Sequence, residues 1–241
     1  MMTQVDSSSR SLATITSTNL SSSVSPGIAS LAYPIGRYIV LPVYFGQISV
    51  KGRENLPQEG PLIFAPTHRS RWDPFMLGYA AGRDITGRDL HFMVSANEML
   101  GIQGWFIRRM GGFPVDTDHP GISSIRHGIE LLQQEKVLVM FPEGNIFREN
   151  CIQPLKPGFA RIALQAEASK CNLGIKVVPI AIKYSQEVPH RGCNVAINIG
   201  SPLKVVDYRS NNVKRSAQSL TEDLQASLTS LYQCPLSQSL S

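Results

Sequence analysis

The chain has 241 residues, a mass of 26.5 kDa, 42% hydrophobic residues and 17% charged residues, a composition that predicts one globular domain and excludes a disordered chain. Its formal net charge of +5 favours an anionic partner. The sequence has no zinc-finger pairing of cysteines, no ribonucleoprotein motif and no dense run of lysine and arginine, so a membrane surface or an acidic carrier is a better candidate than nucleic acid. The widely spaced cysteines predict free thiols, with no disulfide framework and no zinc site: Cys151, Cys171, Cys193 and Cys234.

The N-terminal residues 1–26 are rich in serine and threonine and predict a disordered tail, because they offer little apolar surface to bury. A single arginine among them gives little support for a targeting peptide. Residues 27–46 are about as long as a membrane span, but prolines, a glycine and an arginine interrupt them. We therefore predict a broken helix that lies at a membrane interface; a helix packed on the protein's own core is the alternative.

From residue 48 the chain alternates apolar, strand-like runs with helical segments, which is typical of an α/β domain. We expect a single domain over residues 27–232 with a central, mostly parallel or mixed sheet flanked by helices, followed by a tail at 233–241. The predicted strands are PLIFAP (61–66), LHFMVS (90–95), KVLVMFP (136–142), IKVVPIAIKY (175–184) and NVAINIG (194–200). The predicted helices are DPFMLGYAAG (73–82), ISSIRHGIELLQQE (122–135) and residues 213–232.

The stretch APTHRSRWDPF places His68 directly after an apolar strand, where α/β sheets commonly place their active sites. Asp73 follows on the same loop and could hold the imidazole ring in one tautomer and stabilise the imidazolium. The alternatives are that Asp73 only caps the helix that begins beside Pro74, and that His68 is an ordinary loop histidine. Because the chain has no G-x-S-x-G nucleophile elbow, an activated hydroxyl would belong to the substrate.

His68 and Asp73 form an H-x-x-x-x-D block, by which the sequence resembles the glycerolipid acyltransferases, in the lysophosphatidate acyltransferase (PlsC-like) group. The resemblance covers roughly residues 35–205. Further blocks follow in the order that is usual for this family: GWFIRRMGGFPVD (104–116), VLVMFPEG (137–144), LKPGFARIA (155–163) and VVPIAIKY (177–184).

The resemblance implies transfer of a fatty acyl group from a thioester of coenzyme A or acyl carrier protein to the free hydroxyl of a lysolipid. The expected acceptor is 1-acylglycerol-3-phosphate, which would give phosphatidic acid. His68 is implied to be the general base and Asp73 the group that orients it. No metal or redox cofactor is implied. The expected location is the cytoplasmic face of a membrane, as a peripheral or monotopic protein.

The resemblance also assigns residues to the acceptor. Glu143 is expected to accept a hydrogen bond from an acceptor hydroxyl, and Gly144 to let the backbone approach closely. Two arginines that the family commonly uses to hold the acceptor's phosphate are replaced: the second block is followed by D-T-D, and the third reads E-G-N-I where E-G-T-R is usual. We expect Arg148 to be the foremost substitute, with Arg126 and Arg71 as further substrate-binding cations.

Aromatic residues and further histidines lie outside these blocks. Trp105 and Phe106, beside Arg108 and Arg109, predict either a patch that meets lipid headgroups or a buried helix contact. The remaining histidines lack a partner spacing and are interpreted as structural or surface residues: His91, His119, His127 and His190.

Two functions of other classes remain open at this point. A lipid-binding protein without turnover would keep the fold and the basic surface. A hydrolase that cleaves acyl thioesters with water would use the same base.

Overall fold

The apolar runs of the sequence form the strands of one sheet, in a computed structural model that describes residues 22–116, 121–170 and 173–233. All five predicted strands are present, although the third, predicted over 136–142, is shorter than expected and covers only Val137–Val139. In chain order the strands are β1 (Ile48–Lys51), β2 (Leu62–Pro66), β3 (Leu90–Ser95), β4 (Gly112–Val115), β5 (Val137–Val139), β6 (Lys176–Tyr184), β7 (Val195–Ile199) and β8 (Leu203–Lys204).

The sheet is mostly parallel, as the sequence predicts. Its strand order is β1-β7-β6-β2-β5-β3-β4, with β8 paired to β6 outside that path. Among the strands of the described residues, only the pairings of β6 with β7 and with β8 are antiparallel. Because β2, β3, β4, β5 and β6 run in one direction, their C-terminal ends meet at a single edge of the sheet. Ligand sites of parallel sheets lie at that edge.

The predicted helices are also present, together with shorter ones that the sequence pattern did not predict. In chain order the α-helices are α1 (Pro26–Ile35), α2 (Leu41–Tyr44), α3 (Asp73–Ala81), α4 (Arg83–Thr86), α5 (Gly101–Arg109), α6 (Ile122–Gln133), α7 (Gly158–Ser169) and α8 (Val213–Gln233). A π-helical turn covers Gly36–Val40, and short 3-10 helices cover Arg53–Asn55, Ala96–Met99 and Val205–Tyr208.

Helices pack on both faces of the sheet, and β2 shows how the two faces are built. Ile63 and Ala65 point into a core shared with α6, α7 and α8, whereas Leu62 and Phe64 point into a second core shared with α2 and α3. Successive side chains of a strand point to opposite faces, so burial on both sides requires an unbroken apolar run. Ile125, Ile129 and Leu132 share one face of α6 and pack in the first core.

The segment predicted as a broken interfacial helix is helical from Pro26 to Tyr44. The interruption takes the form of the π-helical turn between α1 and α2, a known way to absorb residues that disturb an α-helix. Leu41 and Phe45 are buried in the second core and fix this segment to the domain. Among the described residues, no helix has both the length and the apolarity that crossing a bilayer requires.

The structure changes the boundaries of both predicted tails. Residues 1–21 lie outside the described residues, but 22–26 are ordered in the fold, contrary to the prediction. Val24 forms a β-bridge with Met110, and the Ser25 N–H donates to the carbonyl of Arg109 at 2.8 Å. These are backbone contacts, which composition does not reveal. At the other end α8 includes Gln233, and 234–241 lie outside the described residues.

Candidate active site

His68 lies just beyond the end of β2, and its place is fixed by Thr67. The Thr67 N–H donates to the carbonyl of Ile180 on β6 at 3.0 Å, which continues the pairing of the two strands. The buried Thr67 hydroxyl also donates to the carbonyl of Ile182 at 3.1 Å and accepts the Ile182 N–H at 2.9 Å. His68 is therefore held at the C-terminal edge of the sheet, between β5 and β6.

Asp73 is fully buried and binds the loop that carries His68. Its Oδ2 accepts the Nδ1–H of His68 at 2.9 Å, the N–H of Arg69 at 2.6 Å and the N–H of Ser70 at 2.8 Å. Although Asp73 is the first residue of α3, the partners of its carboxylate within the described part of the chain do not include the N–H groups of that helix. The carboxylate thus closes the preceding loop around itself, and the helix-capping alternative does not describe it.

The tautomer of His68 follows from these contacts. Oδ2 of Asp73 can only accept, so the neutral imidazole carries its proton on Nδ1 and a lone pair on Nε2. Among the described residues, Nε2 has no hydrogen-bond partner. The ring stacks on Phe141, with centroids 4.0 Å apart, and 19% of the side chain is exposed. This arrangement presents one basic nitrogen to a molecule that enters the site.

Tyr184, at the end of β6, is a site residue that the sequence analysis missed. Its hydroxyl donates to Oδ1 of Asp73 at 2.8 Å. Burial, followed by the neighbouring charge of Asp73, raises the pKa of Tyr184 well above its usual value, so the hydroxyl remains a donor. Oδ1 and Oδ2 of Asp73 are therefore both engaged, and the carboxylate cannot rotate away from His68. The available signal was the position of Tyr184 at the C-terminal end of a predicted strand.

Arg69 and Glu143 form a buried ion pair beneath His68. Nη1 of Arg69 lies 2.8 Å from Oε1 and 3.0 Å from Oε2 of Glu143. Glu143 also accepts the backbone N–H groups of His68 at 3.1 Å and Gln153 at 3.0 Å. The structure therefore corrects the expected role of Glu143. Its carboxylate is buried and engaged by the protein itself, and it supports the His68 backbone rather than facing an acceptor hydroxyl.

Arg69 also joins the His68 loop to two distant segments. Its Nη2 donates to the carbonyl of Cys151 at 3.0 Å, and its Nε donates to the hydroxyl of Tyr232 on α8 at 3.2 Å. The guanidinium lies over the Tyr232 ring, 4.9 Å from the centroid. In sequence Arg69 was only one of two arginines beside the histidine. In the structure it holds the loop, the segment after β5 and α8 together.

Gly144 adopts a left-handed conformation, with φ of +78°, at the turn after Glu143. The space that a Cβ would occupy is filled by Lys156, whose Cε lies 2.7 Å from the ideal Cβ position. Gly144 therefore allows a close approach, as expected, but the group that approaches is the side chain of Lys156. This contact places the Lys156 ammonium beside the third block.

The three predicted substrate-binding arginines occupy different places. Arg148 is exposed and follows Phe147, whose N–H donates to the carbonyl of His68 at 2.9 Å. Arg71 is also exposed, and its Nη2 lies 2.7 Å from Oε1 of Glu98. Arg126 is exposed on the second turn of α6, and no hydrogen bond or ion pair between described residues joins it to the His68 loop. Arg71 thus lies on the His68 loop itself and is paired with Glu98, whereas Arg148 follows a residue that is hydrogen-bonded to that loop.

The other histidines have the structural or surface roles that were predicted, as far as they are described. His91 and His127 are buried and both contact the hydroxyl of Ser22, at 3.1 and 2.8 Å. Burial lowers the pKa of His91 to about 4 and also lowers that of His127, so both rings are neutral near pH 7. His190 is exposed, and His119 lies outside the described residues. Cys151 and Cys193 are free thiols. Cys171 and Cys234 lie outside the described residues.

Comparisons with known proteins show which sequences this chain is similar to. Residues 47–183 match the family described as Acyltransferase. A 1-acyl-sn-glycerol-3-phosphate acyltransferase of Bacillus subtilis is 30% identical over 185 residues, which cover 74% of this chain and 85% of that protein. An enzyme of the same name from Streptococcus pneumoniae is 28% identical over 162 residues, which cover 64% of this chain and 54% of that protein.

The fold is also similar to a solved structure. The crystal structure of the 1-acyl-sn-glycerophosphate (LPA) acyltransferase PlsC from Thermotoga maritima matches with a TM-score of 0.65. The match covers 88% of this chain and 82% of that chain, at 19% sequence identity. At this level of identity the similarity shows the fold alone.

The buried ion pair predicts a large difference between two arginine substitutions. Arg69→Met leaves the Glu143 charge buried without its partner, so we expect the free energy of unfolding to fall by about 3–5 kcal/mol. Arg71→Met breaks an exposed ion pair and should change it by about 1 kcal/mol or less. Urea denaturation followed by circular dichroism measures both variants. Equal losses in the two variants would show that the Arg69–Glu143 pair does not stabilise the site.

Proposed function

The chain belongs to the acyltransferase family and is therefore an acyltransferase, and from that premise we propose 1-acylglycerol-3-phosphate as its acceptor. The product of the proposed reaction is phosphatidic acid. The observation that carries the proposal is the Nε2 of His68, which has no hydrogen-bond partner in the described part of the chain and is held at the sheet edge by the buried Asp73 carboxylate. The Bacillus and Streptococcus relatives are named for this acceptor.

In the proposed mechanism, Nε2 of His68 takes the proton of the acceptor hydroxyl while the hydroxyl oxygen attacks the thioester carbonyl. The resulting imidazolium is stabilised by Asp73, to which it donates through Nδ1. Collapse of the tetrahedral intermediate breaks the carbon–sulfur bond and releases a thiolate. The thiolate takes the proton back from Nε2, which restores the neutral ring. The mechanism as proposed uses no metal and no redox cofactor.

The donor in this proposal is an acyl group on coenzyme A or on acyl carrier protein. Both carriers are anionic, and the formal net charge of +5 suits either of them. Their thioesters present the same carbonyl to the nucleophile, so the same His68 chemistry serves both donors.

The phosphate of the proposed acceptor needs cations near His68, because the two arginines usual in the family are replaced. Arg148 is the foremost candidate, since the N–H of the preceding Phe147 is hydrogen-bonded to the His68 carbonyl. Lys156 is a second candidate, because its side chain lies over Gly144, the residue after Glu143. A guanidinium can bind two phosphate oxygens at once, whereas an ammonium acts as a point charge.

We expect membrane association through the outer surface of α1, the π-helical turn and α2, on the cytoplasmic face. This surface exposes large apolar side chains: Leu31, Ile35, Tyr38, Ile39, Val40 and Val43. Its inner surface is anchored by Leu41 and Phe45 in the domain core. A helical segment that is apolar on its outer surface and anchored on its inner one suits a peripheral or monotopic protein.

The catalytic assignment predicts a graded loss of acyl transfer. His68→Ala removes the base and should lower kcat/KM by about 10²–10⁴-fold. Asp73→Asn removes the charge that stabilises the imidazolium and should also cause a severe loss. Tyr184→Phe keeps that charge and the three donors to Oδ2, so its loss should be smaller. The measurement is transfer of labelled acyl groups to the lysolipid, with the fold of each variant checked by circular dichroism.

Two results would contradict the assignment. A folded His68→Ala protein with the kcat/KM of the parent would exclude His68 as the base. Release of free fatty acid at the same rate with and without lysolipid would identify a thioester hydrolase.

The acceptor assignment predicts a selective effect of Arg148→Ala. Loss of a charge-assisted hydrogen bond, about 1.5–3 kcal/mol, should lower kcat/KM for lysophosphatidate by about 10–100-fold. An acceptor without the phosphate monoester, such as a monoacylglycerol, should be used almost as well as by the parent. The matched control is Arg215→Ala near the start of α8, roughly 25 Å from Tyr232 at its end. Equal losses with both acceptors would remove Arg148 from phosphate binding and favour a different headgroup.

The membrane assignment is tested best by a single charge on the exposed surface. Deletion of residues 27–46 would also remove Leu41 and Phe45 from the core, so it would confuse unfolding with release. Val43 is 63% exposed, and Val213, on the far end of α8, is 65% exposed. We expect Val43→Asp to lower affinity for liposomes by about tenfold or more and Val213→Asp to leave it unchanged. Co-sedimentation at low and high salt measures this, and equal binding by both variants would place the anchor elsewhere.

A further inference from the structure

Helix α5 has an apolar surface that the proposed function does not use. Leu100, directly before the helix, is 73% exposed, Ile102 is 88% exposed and Trp105 is 50% exposed. Ile102 and Trp105 are three residues apart, so they share one face of the helix. Single exposed apolar residues are ordinary, but three within one short helix and its first neighbour form a patch.

The opposite side of α5 explains why this patch cannot turn inward. Gly104 is buried, and a Cβ at this position would lie 2.1 Å from the Met99 backbone. The helix is therefore packed against the segment that directly precedes it, the 3-10 helix Ala96–Met99. Arg108 reinforces this side, because its Nη2 donates to the carbonyl of Met99 at 3.2 Å. The orientation of the helix is thereby fixed, with Ile102 and Trp105 directed away from the domain.

The chemistry of the patch matches the boundary of an anionic bilayer. The guanidinium of Arg109 lies over the Trp105 ring, 4.0 Å from the centroid. Tryptophan is enriched where hydrocarbon meets headgroups, and arginine adds attraction to anionic lipids. An aliphatic tip, an indole ring and a cation therefore follow one another along one side of the helix.

The patch is also continuous with neighbouring elements of the site. The carbonyl of Arg109 accepts the N–H of Ser25, directly before α1 begins at Pro26. At the other end, Glu98 pairs with Arg71 on the His68 loop. The next residue of this loop, Trp72, packs against Tyr44 of α2, with ring centroids 4.7 Å apart. The His68 loop therefore contacts both α2 and the 3-10 helix Ala96–Met99 that precedes α5.

We propose that α5 is a second membrane-contacting element, with Leu100, Ile102 and Trp105 inserted in an anionic bilayer and Arg109 at the level of the headgroups. The proposal rests on the proposed membrane association and adds a second point of contact to it. The two points of contact, both next to the His68 loop, fix the orientation of the domain on the surface. A lysolipid acceptor then reaches Nε2 of His68 without leaving the membrane.

The two tryptophans of the chain allow a direct test of insertion. Trp72→Phe leaves Trp105 as the only indole, and Trp105→Phe leaves Trp72 as the matched control. Each variant is mixed with phosphatidylcholine–phosphatidylglycerol vesicles whose acyl chains carry bromine. We expect strong quenching and a blue shift for Trp105, and weaker quenching for Trp72, which packs against Tyr44 and Phe45. Unquenched Trp105 on vesicles that bind the protein would overturn the proposal.

Charge substitutions supply a second, independent test. Ile102→Asp should lower vesicle affinity by about tenfold or more. Its control is Val206→Asp, at an exposed valine. The neighbouring Val205 N–H donates to the carbonyl of Ile175, directly before β6, so this position lies at the edge of the sheet opposite to His68. Arg109→Gln should weaken binding to anionic vesicles about fivefold at low salt, with no effect on vesicles of phosphatidylcholine alone.

The outcomes separate this proposal from the proposed function. If Val43→Asp releases the protein from vesicles and Ile102→Asp does not, α1 and α2 are the anchor and the α5 proposal is overturned. If Ile102→Asp keeps vesicle binding but raises KM for acyl carrier protein, the patch binds that carrier and the bilayer proposal is overturned. A parent protein that transfers acyl groups but binds no vesicles would overturn the α5 proposal and leave the acyl-transfer chemistry intact.

Discussion

The site depends on the buried carboxylate of Asp73 and on the donors that surround it. Three of them, from His68, Arg69 and Ser70, come from a loop of only a few residues, and the fourth, from Tyr184, comes from β6. A buried carboxylate without donors is very costly, whereas one with four donors has its lone pairs engaged. The Asp73 carboxylate that accepts the imidazole N–H therefore also fixes the conformation of the loop. The His68 ring and the backbone of its loop are therefore both held by the same carboxylate.

A second buried charge pair extends this arrangement to the rest of the domain. Arg69 follows His68 directly, so its ion pair with Glu143 joins the end of β2 to the segment after β5. Because Glu143 also accepts the His68 N–H, the ion pair and the Asp73 cluster hold the same short peptide from two sides. A buried ion pair is costly in desolvation, and here its directional bonds fix the geometry of the loop. The proposed catalytic nitrogen is thus held in place by a network of buried polar contacts within an otherwise apolar core.

The parts of this arrangement that could be predicted from sequence are the local ones. His68 and Asp73 are close in sequence, so their spacing was a direct signal, and the strands buried on both faces were visible as long apolar runs. The edge elements β1 and β4 were missed because each has only four residues, too few for a periodic pattern. The partners of Asp73 and Arg69 were missed for another reason: Tyr184 lies 111 residues from Asp73, and Glu143 lies 74 residues from Arg69. Single-sequence patterns contain no information about which distant polar groups will meet. For the same reason Glu143 was read as an acceptor contact, although its carboxylate faces the protein.

The contact between Arg69 and Tyr232 has a consequence for the order in which the protein is made. The two residues are 163 positions apart, and Tyr232 is buried near the end of α8. A ribosome releases the H-x-x-x-x-D loop long before it releases this tyrosine, so during synthesis Arg69 lacks one of its partners. This contact can form only after residue 232 has emerged and α8 has docked on the sheet. While the residues between the loop and α8 are being synthesised, the nascent chain therefore carries His68 without the Tyr232 contact that supports its loop in the finished protein.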